Sequence, residues 1–383
     1  MLESLVNRPL SLDMFPAMVQ KPVLPDTPKP LKMMAAKGAL PVSPDLLILV
    51  WYQLSFEPDP EIQAAVKETV CSFDPELIVE LAQKDLPESV LDWLSKTTTD
   101  NAVLEKIVLN QKTHDATIMD LAETAPRDIV ELIANNHVRI LRSPEIIEKI
   151  YINPSARMAT VDKLLALAKE HNIELLSLKV VQDALNSGDL QDDGPKLSDE
   201  EFEQVLSELK GHSEAEKPEG LDNLRATKSL EEMDEEESQE QKQKRLSRTQ
   251  LIERMNAPQR VRLALMGTRE DRNILIRDTR RVVYMSVIRS PKMSIGEVGS
   301  IASSKSLPDE VIGYIAQRQD WIRYYPIVVS LVNNPKCPLA ESVTFLRQLR
   351  ANDLKQLMKS KSVPAQLTRQ AQMLFRQKDA ARK

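Results

Sequence analysis

Histidines and carboxylates at fixed spacings move protons and hold metals, and this chain carries four histidines: His114, His137, His171 and His212. None stands with another His, a Cys or an acidic residue at a metal-ligand spacing. His114 is followed directly by Asp115, a base and an orienter by residue type. Neighbours at a helix start point in different directions, however, which argues against a dyad. Cys71 and Cys337 lie far apart and belong to no C-x-x-C pair, so neither a disulfide framework nor a zinc site is expected. Nine glycines in 383 residues leave little material for a phosphate cradle, and no nucleophile-elbow, P-loop or dinucleotide fingerprint occurs. The residues therefore call for no enzyme activity, metal or cofactor.

Charge offers more than catalysis does. Residues 199–240 hold 16 Asp and Glu against 4 Lys and Arg, whereas residues 241–383 hold 28 Lys and Arg against 11 Asp and Glu. A net charge of −6 thus hides an acidic bridge beside a basic half. Arg260, Arg262, Arg269, Arg272, Arg277, Arg280, Arg281 and Arg289 crowd one short stretch, and guanidinium forks suit carboxylates and phosphates. Arg269, Arg272, Arg277, Arg280 and Arg281 are therefore candidates for a binding face. Trp321, Arg323 and Tyr324 join them, because aromatics beside Arg are common anchors. The plainer alternatives are a solvated face balanced by the acidic bridge and, for the aromatics, a helix–helix junction. An acidic protein is the expected partner. Nucleic acid is the alternative, although the regular side-chain pairs of base-reading repeats are absent.

The elements that must position these groups read as short helices. Asp59-Pro60, Asp74-Pro75 and Ser143-Pro144 each pair a capping oxygen with a proline at the first helical position, where the missing N–H costs nothing. Apolar stripes of helical period follow, such as Ile62, Ala65, Val66 and Val70, and no useful length alternates with period two. Residues 1–44, with eight prolines, read as an extended lead-in. Residues 45–185 read as one helical block, 186–250 as an acidic, partly disordered linker, and 251–383 as a basic helical block. Within the linker, Ser198 and Glu201 form a capping box opening a short amphipathic helix over 198–210. Its stripe of Phe202, Val205, Leu206 and Leu209 is either a docking peptide or a face packed on a neighbouring block. Glu231 to Asn256 has the charge gradient of one long helix, acidic first and basic last.

The chain also repeats itself. The segment 110–135 runs in step with 333–360, each opening on an Asn-x-Lys turn that we assign to capping. KDLPESVLDWL (84–94) runs in step with KSLPDEVIGYI (305–315), and SKSVPAQL (360–367) with SKSLPDEV (304–311). Units that each leave an apolar face uncovered must stack. FEPDPEIQAAVKETV (56–70), after the helix LLILVWYQL (46–54), resembles a HEAT unit. The K-x-L-P-x-x-V starts and RVRLALMGTREDRNILIRD (260–278) resemble the HEAT-like and variant leucine-rich repeats of uncharacterised bacterial proteins. The resemblance covers about 45–185 and 255–375. It implies an all-α chain of two HEAT-like α-solenoid blocks and a scaffold or adaptor role, with no catalytic residues to carry over. The N-terminus lacks the basic and apolar regions of a secretion signal, and the longest apolar run, Leu46 to Tyr52, is too short for a bilayer. A cytoplasmic chain with no membrane partner is the expectation.

Overall fold

A computed structural model describes residues 9–188, 197–211, 247–360 and 362–380, with the side chains of Met18, Lys210, Gly211 and 378–380 left aside. All regular secondary structure among the described residues is helical, with no strand among them. They divide into two compact units, Met1–Leu175 and Leu176–Lys383.

The first unit contains α1 (Ala17–Val23), α2 (Lys29–Ala36), α3 (Pro44–Leu54), α4 (Pro60–Ser72), α5 (Pro75–Gln83) and α6 (Glu88–Thr97). It continues through α7 (Asn101–Leu109), α8 (Asp115–Thr124), α9 (Arg127–Ala134), α10 (His137–Arg142), α11 (Glu145–Ile152) and α12 (Met158–Glu170). The second holds α13 (Lys179–Ser187), α14 (Asp199–Gly211), α15 (Ala257–Met266), α16 (Arg269–Leu275), α17 (Arg281–Ile288) and α18 (Ile295–Ser303). It ends with α19 (Asp309–Gln317), α20 (Gln319–Ile322), α21 (Tyr325–Asn333), α22 (Leu339–Leu346), α23 (Ala351–Lys359) and α24 (Ala365–Ala380).

The capping chemistry works as the dipeptides imply at two of three places. Asp59 and Asp74 accept from the backbone N–H of Glu61 and Glu76, with Pro60 and Pro75 opening α4 and α5. At the third, Pro144 itself precedes α11, and Ser143 instead donates its hydroxyl to Asp115 at 2.6 Å. The proline-rich lead-in is not extended over its described residues. Pro16 and Pro28 sit at the N-caps of α1 and α2, where fixed φ assists a helix start. Phe15, Val19, Ala35 and Ala36 are buried, and Lys32 reaches Glu57 at 2.7 Å. Helix α3 is apolar nearly all round because α1, α2, α4 and α6 pack about it, and Trp51 donates its indole N–H to the Ala35 carbonyl.

One relationship recurs in both units. Helices α5 and α7, α8 and α11, α15 and α17, and α18 and α21 pack as pairs. Immediately after the second helix of each pair, a polar side chain reaches back to the C-terminal end of the first. Asn110 donates its amide hydrogens to the carbonyls of Ala82 and Lys84 at 2.8 and 2.9 Å. Asn153 donates to Ala122 and Ala125 at 2.9 and 3.0 Å, and Asn334 to Ala302 and Ser304 at 2.8 and 2.7 Å. Ser290 reaches only the Leu265 carbonyl, at 3.2 Å. In every case the side-chain oxygen also accepts the N–H two residues on, from Lys112, Ser155, Lys336 and Lys292. A helix end leaves carbonyls without intrahelical partners, and these turns satisfy them from the neighbouring element.

The second unit begins earlier in sequence than the change of composition suggests. Helices α13 and α14 belong to it, so the segment 186–250 is not a linker over 197–211 and 247–250. The expected long helix over Glu231–Asn256 falls largely outside the described residues. Its described part ends at Glu253, and Asn256 instead caps α15 in a capping box with Gln259.

Candidate interaction face on the second unit

The apolar stripe of α14 is the first candidate to place. Phe202, Val205, Leu206 and Leu209 are all buried within the unit. The Arg262 guanidinium lies 5.5 Å from the Phe202 ring centre, and Arg248 donates to the Leu209 carbonyl at 2.5 Å. Gln259 brackets the entry to α14 by donating to the Leu197 carbonyl at 2.8 Å. Of the two readings of this helix, packing describes where the stripe goes. The capping box of Ser198 and Glu201 is present.

The arginines then part company. Arg272 turns inward: its Nε and one terminal nitrogen donate to the two oxygens of Glu297 at 2.8 and 3.0 Å, and the other donates to the Gly267 carbonyl at 2.9 Å. Arg272 and Glu297 are each 2% exposed, so Arg272 is not part of an outer face. Gly267 must be glycine, since a Cβ there would stand 2.5 Å from the Leu263 carbonyl oxygen. Arg248, which sequence patterning did not single out, is equally buried and pairs with Asp271 at 2.6 Å. Arg277 lines a cleft of about 340 Å³ beside the Arg260–Asp278 ion pair. Arg269 opens α16 and Arg280 caps α17, both partly exposed.

Arg281 is exposed and grips Glu310 with its guanidinium, and the Tyr284 hydroxyl donates to the same carboxylate at 3.4 Å. The Arg281 contact holds the Glu310 carboxyl below its ordinary value of 4.5, outweighing partial burial. Next to it, Arg289 lies 5.0 Å and Arg318 5.8 Å from the centre of the Tyr314 ring, and Arg318 lies 5.5 Å from that of Trp321. Tyr314 and Trp321 meet edge to face at 5.9 Å. Trp321 is partly exposed while its edge packs on Tyr314 of the preceding helix, and Arg323 covers the Tyr324 ring at 5.1 Å. The result is a partly exposed cluster of guanidiniums and rings held in fixed mutual orientation. Tyr314 and Arg318 are members that sequence reasoning missed, and Arg289 was seen only as one of the arginine run; the rings were legible only at Trp321 and Tyr324, because the contact joins α17 to α19.

A cleft of about 720 Å³ lies between the ends of α18, α21 and α23. Its lining includes Lys305, Tyr325, Asn333, Arg350 and Asp353 with several serines. The Tyr325 hydroxyl donates to Asp353 and accepts from the Arg350 backbone N–H at 2.9 Å, while the Arg350 guanidinium lies 4.7 Å from its ring centre. Burial, and then the Asp353 carboxylate, push the Tyr325 hydroxyl pKa up.

The candidate dyad does not assemble. His114 spends Nδ1 accepting the Ala116 N–H at 3.1 Å as a helix cap, and Asp115 turns to Arg142 and Ser143. Among the described residues no three His, Cys, Asp or Glu side chains stand close enough to hold a metal, and no helix is long and apolar enough to cross a membrane. No protein-family model, curated protein or solved structure matches the chain.

Proposed function

We propose that the chain is a non-enzymatic scaffold or adaptor for another protein, built as two HEAT-like α-solenoid blocks. The recurrent Asn and Ser turns support the repeat reading, since each fastens one helical pair in the same way. The observation that carries the binding reading is the Arg289–Tyr314–Arg318–Trp321 cluster. Rings and guanidiniums already stacked on one another lose little freedom on binding, which is what interface anchors require. An acidic surface is the natural complement to Arg289, Arg318 and Arg323. The alternative of a nucleic-acid binder is weakened because Arg248, Arg260, Arg272 and Arg281 are each engaged by a carboxylate of the same unit. The two unpaired cysteines fit work in a reducing, cytoplasmic setting.

The test is cross-linked capture from nuclease-treated extract with the full chain and with an Arg318→Gln/Trp321→Ala variant. The reading expects defined protein partners that survive nuclease and are lost with the variant. Capture that vanishes on nuclease treatment would contradict it.

A further inference from the structure

The cleft between α18, α21 and α23 has a lining that the aromatic cluster does not explain. Two cations open onto it, Lys305 and Arg350, and both are exposed. Among the described residues no carboxylate forms an ion pair with either, and the Arg350 guanidinium lies over the Tyr325 ring. Opposite charges are scarce at the site. Asp353 is the lining carboxylate, and one of its oxygens is taken by the Tyr325 hydroxyl.

The cleft also offers acceptors. Asn333 donates its amide N–H to the Val329 carbonyl at 2.9 Å, which leaves its oxygen for an incoming donor. The second oxygen of Asp353 is in the same position, and Ser360 and Ser362 share a 2.9 Å hydrogen bond at the lip. A lining that mixes cations with acceptors asks for a ligand carrying both negative charge and hydrogen-bond donors. An extended acidic peptide has that combination in its carboxylates and backbone N–H groups. The phosphates of a nucleic acid present acceptors alone and would meet Asp353 and the Asn333 oxygen as repulsion, its donors lying on the bases and, in RNA, on the 2′-hydroxyls. The Tyr325 ring, already stacked under Arg350, is poorly placed to stack on a base.

We propose that this cleft receives an extended acidic peptide segment of the partner. Lys305 and Arg350 take its carboxylates, while Asp353 and Asn333 accept its backbone N–H groups. The proposal rests on the protein-scaffold reading and adds a second point of contact to it.

The experiment is fluorescence anisotropy of the full chain with three labelled probes at near-physiological salt: a short peptide of alternating Glu and Ala, the same peptide with Gln for Glu, and oligouridine. The Glu peptide should bind, and the Gln peptide should bind at least about tenfold more weakly, equivalent to roughly 1.4 kcal/mol. A Lys305→Gln/Arg350→Gln variant should lose about tenfold or more for the Glu peptide. Lys67→Gln/Lys163→Gln, which removes the same charge from exposed positions outside the cleft, should change it by less than about threefold. No binding of the Glu peptide overturns the proposal, as does binding that ignores Lys305 and Arg350. Tighter oligouridine binding with the same dependence on those two residues would make the cleft a nucleic-acid site and overturn it as well. If the peptide fails while nuclease-resistant partners still depend on Trp321 and Arg318, only the cleft proposal falls. If both fail, so does the scaffold reading.

Discussion

Arg272 and Glu297 form a two-pronged ion pair inside the second unit, at 2.8 and 3.0 Å, with both side chains 2% exposed. Glu297 also accepts the Ser294 N–H at 2.9 Å in a capping box, so one carboxylate ties the start of α18 to α16. Removing one member leaves a buried charge without its partner, which costs about 3–5 kcal/mol. Arg272→Met should therefore lower the urea midpoint of the second unit sharply, and adding Glu297→Leu should recover much of the loss. A single variant as stable as the parent would show that the pair is not buried in solution.

The turn asparagines make a second prediction. Asn153 and Asn334 are almost wholly buried, and each supplies two hydrogen bonds to helix-end carbonyls. Asn153→Ala or Asn334→Ala should cost about 1–3 kcal/mol in chemical denaturation, because the carbonyls lose donors without gaining water. Gln111→Ala, at the exposed position beside Asn110, should stay within about 0.5 kcal/mol. Equal effects at all three positions would remove the turns as the fastening of the helical pairs.

Phe202 is 1% exposed beneath the Arg262 guanidinium. Phe202→Ala should destabilise the second unit by about 3–5 kcal/mol, the range for a buried aromatic. If the variant kept its thermal midpoint and lost only partner capture, α14 would be a docking peptide after all.

Glu310 gives the pH dependence. Its folded pKa is depressed, chiefly by the Arg281 contact. The unfolded chain therefore takes up the proton first as pH falls, and stability from this pair is present above the ordinary value of 4.5 and fades as pH drops through the lower folded value. Urea midpoints measured from pH 6 downward should fall less steeply in Glu310→Gln than in the parent over that acid window. Parallel curves would place the acid sensitivity elsewhere.

What the sequence reveals here follows the range of each interaction. Local chemistry was legible: Asp59 and Asp74 cap α4 and α5, and Ser198 with Glu201 opens α14, because donor and acceptor lie within three residues. The Asn-x-Lys turn could be seen at Asn110 and Asn334, but what it grips, near residues 82 and 302, could not. Composition misled where prolines punctuate helices instead of extending the chain, as at Pro16 and Pro28. A row of arginines looked like one surface, yet Arg272 faces Glu297 and Arg281 faces Glu310, partners 25 and 29 residues away. The cluster around Tyr314 was hidden for the same reason, since Arg289 comes from a different helix.

The most direct test of a protein-binding scaffold is a salt titration of the full chain against labelled DNA and RNA by anisotropy. The pairing of Arg248, Arg260, Arg272 and Arg281 with carboxylates of their own unit predicts binding only at low salt, fading before physiological ionic strength, because those four have no counterions to release. Micromolar or tighter binding that persists at physiological salt would contradict the account and make the basic half a nucleic-acid surface.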